Sequence, residues 1–200
     1  MRHLTLAITC FASIVLSGMA FGGADLTNIP LKWTPTSTFT SMGAIDLSGN
    51  IVATSIHFDA LTDARQTPAL IAENRENANK FRQVTTTSDV AAFVTEHIKE
   101  SLHAAGLNVV DGAADVTISG ELRQFFVTET TTYNGAVSML IHVKNSGGKE
   151  VWTGVVGGDA GRFGRSYKAE NYYETMSDMV LRASYSLLSN QGFRETLQKH

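Results

Sequence analysis

Of the 200 residues only one is cysteine, three are proline and 18% are charged. Each scarcity excludes something. Cys10 lies inside the apolar run 4–16, so a chain cut beyond that run keeps no disulfide, no thiolate nucleophile and no cysteine-built metal site. With 3 Pro against 17 Gly and 43% hydrophobic residues, the composition is neither disordered, collagen-like nor coiled-coil, and one folded domain is expected. Positive charge is short as well: 16 Lys and Arg against 19 Asp and Glu leave a net charge of −3, which argues against a nucleic-acid backbone as partner. The chain holds no G-x-S-x-G elbow, no H-E-x-x-H pair and no phosphate-loop string. Nucleophilic and zinc chemistry therefore lack their usual handles, and no catalytic residue, metal or cofactor is assigned.

The apolar run of roughly 13 residues is too short for a bilayer, which takes about 20 helical residues. Arg2 and His3 precede it, and Ser17-Gly18-Met19-Ala20 follows with small residues at positions −3 and −1 of a signal peptidase cut. Residues 1–20 read as a signal peptide cleaved after Ala20, with residues 22–24 offering a second small-residue cut. The mature chain then begins at Phe21, and losing Arg2 takes the net charge from −3 to −4. Leu6-Ala7-Ile8-Thr9 before Cys10 is a poor lipid-attachment box, so a soluble periplasmic form without a lipid anchor is expected.

Residues 21–42, rich in Thr and Ser and holding Pro30 and Pro35, read as an extended N-terminal arm that Trp33 pins to the body. Residues 43–200 read as a single α+β domain. Two β-prone runs, 44–47 and 51–58, flank Ser48-Gly49-Asn50 as a hairpin. The polar stretch 59–87 reads as a long connection partly folded over the sheet. Ser88 caps a helix over 89–105 whose Val90, Phe93, Val94, Ile98, Leu102 and Ala105 share one face, and Gly106 stops it. After a short strand at 107–110, Val116, Ile118, Gly120 and Leu122 alternate with polar residues. Phe125 and Val127 then fall on the wrong parity, which places a β-bulge near Arg123 and Gln124. Strands over 137–143 and 150–156 complete a three-strand meander, and a helix over about 169–190 and a turn at 193–197 end the chain. The order β-β-α-β-β-β-β-α predicts a two-layer α+β sandwich, an antiparallel sheet with two main helices on one face.

Several strings in this order resemble the YajG-like family of bacterial envelope lipoproteins. They are Asp63-Ala64-Arg65, Thr86-Thr87-Ser88-Asp89-Val90, Ala105-Gly106-Leu107, Ala114-Asp115-Val116-Thr117-Ile118, Tyr133-Asn134-Gly135, Gly147-Gly148-Lys149-Glu150-Val151-Trp152 and the helix from Glu170-Asn171-Tyr172 to Ser177-Asp178. The resemblance spans roughly residues 42–198. It implies a periplasm-facing, outer-membrane-associated protein without enzymatic role, similar in fold to accessory lipoproteins of transport and secretion systems. Those relatives are anchored through a lipidated cysteine, for which Cys10 is badly placed.

The remaining polar features have modest explanations. His97, near the stripe of its helix, reads as a hydrogen-bonded edge-of-core side chain, and His142 lies on the polar face of its strand. The glycines at 157, 158, 161 and 164 fit a twisted strand better than an anion loop. Asp63 with Arg65, and Glu73 with Arg75, order a loop, and Met176 and Met179 are core or partner-facing. Arg162, Phe163, Arg165, Tyr167, Tyr172 and Tyr173 cluster the residue types that interface cores favour, and form the candidate partner-binding set. Two functions follow. One is an interaction module for an envelope protein or membrane component. The other is a carrier, which needs a cavity of about 300 Å³ or more, lined by Phe93, Leu102, Ile141 and Met179.

Overall fold

The computed structural model describes residues 25–77, 79–164 and 166–200. The signal-peptide reading, Cys10, the cleavage site and Arg165 lie outside them. The chain forms a two-layer α+β sandwich whose centre is the antiparallel meander β6 (Val116–Glu129), β7 (Thr132–Asn145) and β8 (Glu150–Phe163). Strict alternation drives Val116, Ile118 and Leu122 of β6 and Val137, Met139, Ile141 and Val143 of β7 to one face, where all are buried. The bulge falls at Arg123, since Leu122 pairs with Met139 but Gln124 already pairs with Ser138. One extra residue is what returns Phe125 and Val127 to the core face.

Along its other side β6 carries three short strands in line, β1 (Ser55–Phe58), β2 (Thr62–Asp63) and β3 (Leu70–Asn77), all parallel to it. β4 (Lys80–Thr85) flanks β3 as an antiparallel hairpin partner, and β5 (Asn108–Val109) flanks β1 in parallel. The sheet is therefore mixed and mostly antiparallel, with eight strands. The parallel flank arises because a whole helix lies between β3 and β6, the length a parallel crossover requires.

Three local expectations need correction. Residues 48–50 do not make a hairpin: Gly49–Val52 form a 3-10 turn that buries Ile51, and the Thr54 hydroxyl donates to the Leu197 carbonyl at 2.7 Å. Burying Ile51 outweighs the local turn propensity. The stretch 59–87 is no mere connection but contains β2 and the β3–β4 hairpin. The helix α1 (Val90–Ala104) is capped by Asp89, which accepts the Ala92 N–H, while Ser88 Oγ accepts the N–H of Leu31 from the arm.

Helices α1 and α2 (Ala169–Ser189) touch each other and cover the apolar side of the sheet, and α3 (Gln191–Gln198) replaces the expected terminal turn. Leu102, Met176, Met179 and Val180 are fully buried. Gly158 of β8 lies directly under α2, where a Cβ would sit 2.2 Å from the Met179 carbonyl oxygen. Phe93 is only partly buried: its ring stands edge-on to Trp33, His97 and Phe125 at the rim of the core. The arm crosses both helices. Trp33 stacks on His97 with ring centroids 4.1 Å apart, Thr34 N–H donates to Ser177 Oγ, and the N–H groups of Thr36 and Ser37 donate to Asp178.

Candidate interaction surface

Of the six candidate residues, Arg165 lies outside the described residues and the other five divide between a buried or paired set and an exposed strand end. A buried network is built around Glu129, the last residue of β6. By parity it follows Phe125 and Val127 onto the core face, and its side chain is wholly buried. One carboxylate oxygen accepts the Tyr172 hydroxyl at 2.5 Å, and the other accepts the backbone N–H groups of Ser166 at 3.1 Å and Tyr167 at 3.0 Å. Asn74 of β3 also donates to it. Burial pushes the Glu129 carboxyl up, but the hydrogen bonds from Tyr172, Asn74 and Tyr167 outweigh it and hold the group below its ordinary range. Burial, and then the carboxylate beside it, push the Tyr172 hydroxyl far up. Glu129 is thus an anion satisfied by neutral donors, which fastens the segment after β8 to the end of β6 and the start of α2.

Tyr167 belongs to this fastening. Its backbone takes φ 43°, a left-handed conformation that costs about 1–2 kcal/mol for a residue with a side chain, and its N–H donation to Glu129 offsets that cost. Its hydroxyl accepts the Leu26 N–H, and the Arg82 guanidinium lies 3.5 Å from its ring centre. Tyr172 is 0% exposed and packs edge-on against Tyr133. Tyr173 is buried beneath the Lys32 ammonium. Neither ring offers surface to a partner. Arg162, near the end of β8, pairs with Glu174 of α2.

Phe163 is the exception. At the end of β8 it points to the open face of the sheet and is 87% exposed, and Val155 of the same strand is 67% exposed. β8 also pairs with β7 along one side only, so among the described residues no strand meets its outer edge over 14 residues. The glycine string is the second half of this strand, which is why its spacing fits no anion loop. Glu129 escaped the sequence reading although its signal was present, a lone carboxylate on the apolar parity of a strand.

The four residues expected to line a carrier cavity are packed among neighbours, Leu102, Ile141 and Met179 with no exposure. Surface depressions of about 280 to 480 Å³ among the described residues are lined by other side chains, one of them by Ser37, Ser41, Met42, Arg182 and Tyr185.

No family model and no curated protein matches the chain. Solved structures do. Protein XCC0632 from Xanthomonas campestris, of the DUF330 family, superposes with a TM-score of 0.54, 8% identity, and coverage of 83% of this chain and 94% of its own. The chain shares the fold of XCC0632. Looser likenesses are to a PelC dodecamer from Paraburkholderia phytofirmans (TM-score 0.41, 14% identity, 68% of this chain and 86% of that one) and to lipoprotein GNA1162 from Neisseria meningitidis (TM-score 0.35, 11% identity, 60% and 90%). At 8% identity the likeness to XCC0632 is one of fold.

Proposed function

We propose that this chain is a non-enzymatic protein of the bacterial cell envelope, exported to the periplasm and associated with the outer membrane, where it serves as an accessory or interaction module of YajG-like kind. The observation that carries the reading is the outer edge of β8 with Phe163 at its end. A large apolar side chain at 87% exposure, on a long strand with an unpaired edge, is a surface that soluble proteins cover or blunt when it has no partner. The leader-like run at residues 1–20 supports export, and the strings that resemble YajG-like proteins support the compartment. The packed surroundings of Phe93, Leu102, Ile141 and Met179 favour this reading over a carrier for an apolar ligand.

The test is capture of envelope components by the immobilised mature chain and by Phe163→Asp. The expected result is capture by the wild type that the variant loses while its far-UV circular dichroism stays unchanged. Equal capture by both would place the contact elsewhere, and turnover of any envelope substrate by the purified chain would overturn the non-enzymatic assignment.

A further inference from the structure

Resting on the reading of the β8 edge as a contact surface, we infer that its occupant is the β8 edge of a second copy, paired antiparallel about a two-fold axis at Val156. The other edges are short or covered. β5 has two residues, and Thr85 at the end of β4 already bonds Leu26 and Ile29 through its backbone. β8 extends over 14 residues, roughly 46 Å at about 3.3 Å per residue. Its one register irregularity is a bulge at Val151, near its start; from Trp152 to Gly161 it has no proline, lysine or arginine and one charge, Asp159, so most of this edge lacks the devices that usually keep an edge unpaired.

The strand is also complementary to its own reverse. Its first half carries the bulky residues Trp152 and Val155, and its second half carries Gly157, Gly158, Ala160 and Gly161. In the register centred on Val156, Val155 meets Gly157 of the other copy, Trp152 meets Ala160, and Gly154 meets Gly158. On the open face Thr153, whose hydroxyl donates to the Ile141 carbonyl of its own chain at 3.1 Å, meets Asp159. Each contact occurs twice by symmetry, and an isologous contact of this kind closes at a dimer. Two eight-stranded sheets become one continuous sheet, and the backbone groups along both edges gain partners.

The experiment combines mass measurement with register-specific cross-linking of the mature chain, which has no native cysteine. At about 100 μM protein the wild type should run at twice the protomer mass, and Val155→Lys, placing two lysines beside the axis, should weaken association at least about tenfold. Under mild oxidation a mixture of the single variants Thr153→Cys and Asp159→Cys should form a disulfide-linked heterodimer, and Thr153→Cys alone should not. A wild type that is monomeric at that concentration overturns the inference. So does a dimer that survives Val155→Lys and gives no heterodimer. A monomer that still captures an envelope component through Phe163 sinks the inference but leaves the proposed function standing. A monomer that captures nothing removes both.

Discussion

Removing the Tyr172 hydroxyl isolates what the buried carboxylate does. Tyr172→Phe deletes one oxygen and keeps the ring, so edge-on packing with Tyr133 survives, while Glu129 loses its 2.5 Å donor and keeps those from Ser166, Tyr167 and Asn74. A hydrogen bond to a buried charged group is worth about 1.5–3 kcal/mol. For a domain of this size each kcal/mol moves the melting temperature by about 2–4 °C, so a fall of about 3–12 °C is expected at pH 7. Urea unfolding followed by circular dichroism reads the free energy directly. The sign of the pH effect follows from the carboxyl being held below its ordinary range. Its stabilisation is present above the unfolded value, about 4.3, and is lost as pH falls through the lower folded value. The wild-type advantage over Tyr172→Phe should therefore be full at pH 7 and shrink below about pH 4. A loss under about 0.5 kcal/mol, or a difference unchanged at about pH 3, would refute the claim that the network stabilises the ionised form.

Other consequences are as direct. Gly158→Ala places a methyl 2.2 Å from the Met179 carbonyl and 2.4 Å from the Ala183 nitrogen, so α2 must shift. A loss of about 1–3 kcal/mol or more in urea unfolding is expected, and a neutral result would mean the helix does not sit on that glycine. Trp33→Ala removes the stack on His97 and should speed limited proteolysis within residues 25–38; an unchanged cleavage rate would assign the arm's anchoring to Ser177 and Asp178 alone. Intact mass of the exported product should give a chain beginning at Phe21 without lipid, and a diacylated species beginning at Cys10 would contradict the leader reading.

The long elements were legible because their patterns are local. Period-two alternation in β6 and β7, its slip at Arg123 and the three-and-four spacing in α1 each report one buried face; the structure follows β6 and α1 to within a residue or two, while β7 begins five residues before the expected start at 137. The short parallel flank was not legible. β1, β2 and β3 owe their pairing to β6, some 60 residues away for β1, and in β3 the charges of Glu73 and Arg75 on the open face hide Ile71 and Ala72. The candidate site was half legible. Composition drew attention to the right end of the domain, but only tertiary packing distinguishes Tyr172, sunk beside Glu129, from Phe163, standing in solvent. Aromatic residues close a core as readily as an interface, and a residue list does not tell the two apart.

The central claim, that the Phe163 end of β8 is a contact surface in the envelope, is tested most directly by site-specific photo-cross-linking in growing cells. A photoreactive residue at position 163 should give a discrete adduct of higher mass, and one at Glu96, on the exposed side of α1, should give none. No adduct at position 163, or equal adducts at both positions, would contradict the account.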